Sequence, residues 1–317
     1  MHLIPFSALV FGVTWFDVGL CVALYGIRMF FVTAGYHRYF AHRSFKLGRV
    51  AQFLLAFAAE TSLQKGVLWW AGLHRHHHQY SDTPKDLHSP IHGFWWSHFG
   101  WVFERNNVQT RPELIADFMV YPELRFLNRF YLLPPVLLAL TVLLLGGWSA
   151  LITGFFLSTV LLFHGTYTIN SLAHVFGRRR YVTTDTSRNS LILALVTLGE
   201  GWHNNHHYYR SSSRQGFFWW EIDITYYGLN MLRWIGMVKD LRQPPQALLN
   251  KNRIATGEYD LGILVAKRAR ALLVLERIKH RASRASQRRR GRLEAFLMAT
   301  QDQIKRLQGF PGIIHEN

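Results

Sequence analysis

Residues 131–175, "YLLPPVLLALTVLLLGGWSALITGFFLSTVLLFHGTYTINSLAHV", run for 45 positions without a Lys, Arg, Asp or Glu. A helix crosses the hydrocarbon core of a bilayer with about 20 apolar residues. The stretch is therefore long enough for two crossings, with "GGW" at 146–148 as the turn between them. Backbone groups inside hydrocarbon must pair within their own segment, so a run of this composition resolves as helix. The beginning of the chain, 4–35, reads as one full span near 17–35 behind a short apolar stub. Residues 51–63, "AQFLLAFAAETSL", are too short to cross and belong at the interface or against the bundle. The expected fold class is all-α integral membrane, with three to four transmembrane helices depending on whether the stub completes a span. Arg28 lies inside the first span, where it has to pair or snorkel.

Charge orients these spans. The chain has 36 Lys and Arg against 19 Asp and Glu, a net charge of +17 with His neutral, and is 49% hydrophobic. Basic charge on so apolar a chain fits a membrane protein with a cationic cytoplasmic face better than a nucleic-acid binder. Arg38, Arg43, Lys46 and Arg49 follow the first span, whereas the turn at 146–148 has no charge. The positive-inside rule then places 36–130 and 176–250 in a cytoplasmic helical cap, within one membrane domain covering 1–250. The remainder, 251–317, carries 15 Lys and Arg against 6 Asp and Glu, including "RASRASQRRRGR" at 281–292. Apolar residues at helical spacing mark it as a basic helical tail, expected to lie on anionic lipid, with a solvated tail as the plain alternative. Cys21 is the only cysteine, which excludes an internal disulfide and a cluster held by this chain's own thiolates.

Histidine is distributed in four clusters: "HRYFAH" (His37, His42), "HRHHH" (His74, His77, His78), "NSLAH" (Asn170, His174) and "HNNHH" (His203, His206, His207). No full span separates the first two, and a helical hairpin returns the chain to the same side before the last, so all four share one face of the membrane. Positions i, i+3 and i+4 share a helix face, so His74, His77 and His78 converge, as do His203, His206 and His207. His76 points away. His37 and His42 are five apart, about 140° round a helix, and converge only where the helix ends or deforms. Imidazole is a neutral ligand for Zn, Fe, Cu or Ni. One tetrahedral zinc takes four ligands, so nine candidates imply two metals or one metal with an elaborate surround. His88 and His92, in a Pro-containing loop, are expected at the surface or behind the ligands, and His164 hydrogen-bonded inside the bundle. Glu200 is placed to accept a ligand N–H.

The motifs "VTAGYHRYFAHRSF", "HRHHHQYSD", "GFWWSHFGW", "NSLAHVFG" and "GEGWHNNHH" resemble, in order and separation, those of membrane fatty acyl desaturases of the stearoyl-CoA desaturase type. The resemblance covers about residues 25 to 242, and "NSLAH" makes the set specific where single boxes are shared with hydroxylases. It implies that His37, His42, His74, His77, His78, His174, His203, His206 and His207 bind two iron ions, and that Asn170 contacts one through water. It also implies an O₂-dependent fatty acyl desaturase inserting a delta-9-like double bond. Its electrons would come from an external carrier of ferredoxin or cytochrome b type with its reductase. A diiron lipid or alkane hydroxylase would share the site; a zinc-binding membrane protein without oxygen chemistry is the alternative from another class.

Substrate positions follow from the same likeness. Tyr25, Met29 and Thr33, spaced i, i+4, i+8, share the face leading to His37, and the family closes its acyl tunnel at the positions of Tyr25 and Met29. Met29 is bulkier than the small residue of long-chain enzymes, which favours a shorter chain or a shifted bend; simple packing against a neighbouring helix is the plain reading. Animal enzymes carry "WARDH" where this chain has "WAGLH": Trp70 remains, and Gly72 and Leu73 replace two residues that help hold CoA. Arg105 matches one basic position near CoA, but its neighbour is Asn106. The acyl carrier is accordingly CoA, phospholipid or acyl carrier protein. The short segment before the first span and the lack of a fused electron donor point to a bacterial inner membrane, or to the endoplasmic reticulum if the chain is eukaryotic.

Overall fold

Thr14 and Asp17 determine where the first long helix begins. The Thr14 hydroxyl accepts the Asp17 N–H and the Asp17 carboxylate accepts the Thr14 N–H at 2.8 Å, satisfying two otherwise orphaned donors. In a computed structural model describing residues 1–254, 260–283 and 287–308, the helix Trp15–Phe31 continues into a wider-wound stretch, Val32–Ala41. This 27-residue helix and a 42-residue one, Leu133–His174, are long and apolar enough to cross a membrane. Before the first, the stub forms two short turns, Ile4–Ser7 and Ala8–Phe11, whose apolar side chains are largely exposed. The side chains of 282–292, which carry most of the basic run, lie outside the described residues, as does the backbone of 284–286.

The longer helix is broken at Gly147, whose φ of 72° and ψ of −168° are open to glycine and costly for other residues. Val142 and Leu143 before the break pack in one cluster with Ala150, Leu151 and Phe155 after it, so the two arms lie side by side. Leu20 and Leu24 of the first helix complete that cluster. Leu144, Leu145, Trp15 and Val22 face outward, as an apolar bundle in lipid requires. Arg28 turns inward, donating to Thr159 Oγ1 at 2.7 Å, Ser158 Oγ at 2.5 Å and the Phe155 carbonyl at 3.4 Å. Its charge is thus met by hydroxyls and by a carbonyl of the wide-wound segment Ala150–Leu157.

Beyond the ends of these helices sits a second layer. Arg49–Glu60 buries Gln52, Ala56, Ala59 and Glu60 against the bundle and leaves Val50 and Leu54 exposed. Val67–Tyr80, His203–Tyr208 and Ile224–Trp234 follow, joined by irregular loops. Among the described residues there are isolated β-bridges but no strands. The tail forms two helices, Leu261–Ser283 and Gln287–Gln308, packed together through Ala271, Leu275 and Ile304.

Candidate metal centre

The deformation that His37 and His42 need is present. Val32–Ala41 winds as a π-helix, and the His42 N–H donates to the His37 carbonyl at 3.2 Å, the i+5 bond of that winding. Residues five apart therefore meet on one face, the two rings edge to face with centroids 4.8 Å apart. All nine histidines are brought together in two adjoining groups. His37, His42, His74, His78 and His206 form one, and His77, His174, His203 and His207 the other, each with ligand atoms within 4.8 Å of one another. Each histidine helix serves both. Positions i and i+4 of Val67–Tyr80 (His74, His78) face the group of five and i+3 (His77) the group of four; in His203–Tyr208 the assignment is reversed.

In the group of five the Nε2 atoms form a chain. His37 to His206 is 3.2 Å, His206 to His78 is 2.9 Å, His78 to His74 is 3.0 Å and His74 to His42 is 3.0 Å. A ring nitrogen carries one N–H or one lone pair, so His206, His78 and His74 cannot each make two good hydrogen bonds along it. A cation at the centre would accept all five lone pairs. Adjacent ligands at right angles with metal–nitrogen bonds of about 2.1 Å would stand about 3.0 Å apart, whereas a tetrahedron would spread them to roughly 3.4 Å. The donors fit an ion of higher coordination number than structural zinc. Burial, then neighbouring imidazoles, hold His42, His74, His78 and His206 well below their ordinary pKa, so they stand as neutral ligands.

The group of four is backed by carboxylates. His77 Nδ1 lies 3.0 Å from Asp86, His174 Nδ1 3.1 Å from Asp82, and His207 Nδ1 2.7 Å from Asp185. An N–H held at Nδ1 leaves the lone pair on Nε2, which fixes the tautomer a metal requires. Nε2 of His207 is buried with no hydrogen-bond partner, as expected of a nitrogen aimed at an ion. Burial pushes the Asp82 and Asp185 carboxyls up, but the charges and hydrogen bonds of His174 and His207 outweigh it and hold both below the usual range. Behind the group of five there is, among the described residues, a single carboxylate, Glu200, 2.5 Å from His37 Nδ1 and shared with buried Arg38 at 3.0 Å. Gly199 makes that placement possible: its φ is 129°, and a Cβ there would fall 2.3 Å from Asp223 and 2.8 Å from the Arg38 guanidinium. Asp82, Asp86 and Asp185 escaped the sequence reading. The signal was there in "SDTPKD" and "TTDTS", carboxylates close to histidine boxes.

A cavity of about 780 Å³ abuts the first group. His74, His88 and Asn170 reach it alongside Trp69, Trp70, Leu73, Phe163 and Tyr167. Gln64 donates to Thr166 at 2.9 Å and accepts the Trp70 indole N–H at 3.3 Å, tying two walls together. Of the substrate positions inferred above, Trp70 lines this space. Tyr25 and Met29 stand behind Gly165, where a Cβ would come within 2.7 Å of the Tyr25 hydroxyl and 2.9 Å of the Met29 methyl. Thr33 lies 2.7 Å from the Thr225 hydroxyl, and Arg105 is exposed at the surface. His88 is buried, stacked 4.3 Å from His77, and His164 bonds to His98 at 3.0 Å.

An sn-1 stearoyl-lipid 9-desaturase of Synechocystis is 40% identical over 241 residues, 75% of this chain and 76% of its own length. A chloroplastic palmitoyl-monogalactosyldiacylglycerol delta-7 desaturase of Arabidopsis thaliana is 36% identical over 259 residues, 80% of this chain and 69% of its own. An acyl-CoA C20 Delta5-desaturase of Anemone leveillei is 38% identical over 237 residues, 74% and 76% of the two chains. Residues 14–229 match the family profile of fatty acid desaturases, and on these grounds the chain belongs to the fatty acid desaturase family.

Proposed function

We propose that this desaturase holds two iron ions between its nine clustered histidines and inserts a delta-9-like double bond into a saturated acyl chain. The carrying observation is one shared wall: His74 of the group of five and Asn170 line the same apolar cavity as Trp70, Leu73, Phe163 and Tyr167. When bound, the ions supply the O₂-dependent chemistry that removes hydrogen from unactivated methylenes. The protein binds the chain along aromatic walls, and the Gln64–Thr166–Trp70 bridge fixes the shape of those walls. The buried carboxylates keep the ligand imidazoles oriented. Asn170 is suited to act on one ion through water. Met29 and Tyr25, wedged behind Gly165, are proposed to limit how much chain extends past the metals.

Break of the long helix at Gly147 supports three crossings, with the stub lying at the interface, 1–250 as the membrane domain and 251–317 as its basic appendage. The histidine side is assigned to the cytoplasm, in a bacterial inner membrane by preference. Leu73, buried at the cavity wall where the animal enzymes carry an acid, and the exposed Phe99 and Phe103 beside it support an acyl chain on a membrane lipid over CoA. Electrons come from an external carrier. The test is fatty-acid analysis by gas chromatography–mass spectrometry of desaturase-deficient cells expressing wild type or His77→Ala. A new monounsaturated acid in aerobic wild-type cultures alone is expected; a hydroxylated acid would instead make the chain a hydroxylase.

A further inference from the structure

The helices Leu261–Ser283 and Gln287–Gln308 lie beyond the stretch that matches the family, yet the first of them sits against the loops carrying the three metal-side carboxylates. We infer that this C-terminal helical hairpin is a clasp that holds the acidic loops of the four-histidine centre in place and so governs retention of its ion. The inference rests on reading that group as a metal site.

Three contacts make the clasp. Asp260 starts the Leu261–Ser283 helix, its carboxylate accepting the Ile263 N–H at 3.3 Å. The same carboxylate lies 2.5 Å from Arg179 Nε. Arg179 then donates to the carbonyls of Asp185 at 2.6 Å and Ser187 at 2.9 Å, and to the Thr183 hydroxyl at 3.0 Å. One buried guanidinium thus braces the Asp185 loop to the first turn of the hairpin. Gly262 permits the approach: a Cβ there would stand 1.9 Å from the Asp185 carbonyl oxygen and 2.6 Å from that of Thr183. One turn further on, Ala266 and Ala269 close over Ile91, in the loop that follows Asp82 and Asp86. The hairpin therefore touches both loops that supply Asp82, Asp86 and Asp185.

Such a brace has a physical task. Asp82 lies close enough to Asp185 and Asp86 for their negative charges to oppose one another, and the segments bearing them are irregular loops. Loops of that kind would spread to relieve repulsion between buried carboxylates unless something outside them prevents it. Lys267 and Lys279 are exposed on other faces of the helix, and altering them leaves the contact with Asp185 intact.

The experiment uses the full chain, purified in detergent and loaded with ferrous iron, with metal content and release to a chelator as readouts. Wild type is expected to hold two ions per chain. Gly262→Val and the milder Asp260→Asn should quicken one release phase by about tenfold or more, the phase that His203→Ala abolishes, and leave the other unchanged. Lys267→Glu with Lys279→Glu should release iron as wild type does. Unchanged release in both Gly262→Val and Asp260→Asn would overturn the clasp, as would iron loss from the outer-face reversal. A wild type that binds no iron would instead overturn the metal reading beneath it. Should Gly262→Val fail to fold, Asp260→Asn decides alone.

Discussion

The two histidine groups adjoin and draw on the same two helices, yet they are built on different principles. The group of five offers more nitrogens, with one carboxylate behind them that Arg38 shares. The group of four offers fewer, but Asp82, Asp86 and Asp185 each fix one of its imidazoles. Charge stands in for number. A carboxylate accepting the Nδ1–H makes the imidazole a better donor and offsets the ion's positive charge in a buried place. The smaller set would leave an ion there more positions open to the small molecules the reaction needs. One contrast thus yields a firmly wrapped centre and a more open, anion-backed one.

Removing a ligand from each side is the harshest way to break this comparison. His78→Ala and His203→Ala should each lose one of two ions and lower turnover by more than about a hundredfold, measured as iron per chain and desaturated product. If either variant lost both ions at once, the centres would not be separate. Asp185→Asn is the sharper test. It should weaken iron binding to the four-histidine centre by about 10- to 100-fold without touching the other, read by chelator titration. Retention at the wild-type level would show that charge does not compensate for donor number there.

The smallest effect comes from a carboxylate without a histidine. Glu60 is buried, accepts the Val67 N–H at 3.0 Å, and is pushed up to about 8 by burial, with that hydrogen bond opposing. Its folded pKa exceeds the unfolded one, so the fold binds the extra proton and loses stability as pH rises from about 4.5 to 8. The loss is on the order of a few kcal/mol. Glu60→Gln should flatten the dependence of thermal unfolding on pH between 6 and 8.5. A wild-type curve already flat across that range would remove Glu60 from the set of buried carboxylates that carry a cost.

Much of this architecture was legible in advance because it depends on local composition. An apolar run of 45 residues fixes its own helical state in hydrocarbon, and Gly147 in "GGW" marks the break. The i, i+3, i+4 spacing fixes that three imidazoles leave each helix together. The short elements between the long helices were not legible, since helices such as Phe94–His98 and Ala116–Met119 are held by tertiary contacts rather than by periodicity. Among the described residues the tail holds the helices Leu261–Ser283 and Gln287–Gln308; that the first closes over Ile91 follows from two alanines that nothing local distinguishes.

Sequence alone thus determined which residues travel together: nine histidines in four clusters, three imidazoles to each of two helices. Only the tertiary structure decided how they divide. An i+3 side chain leaves a helix about 60° to one side of residue i and an i+4 side chain about 40° to the other, so neighbours such as His77 and His78 diverge. Which centre each meets depends on where the facing helix lies. The same holds for Asp82, Asp86 and Asp185, whose partners sit between 9 and 92 residues away along the chain. The sequence can mark such acids by their nearness to the boxes, but which imidazole each one meets is set by how helices and loops pack.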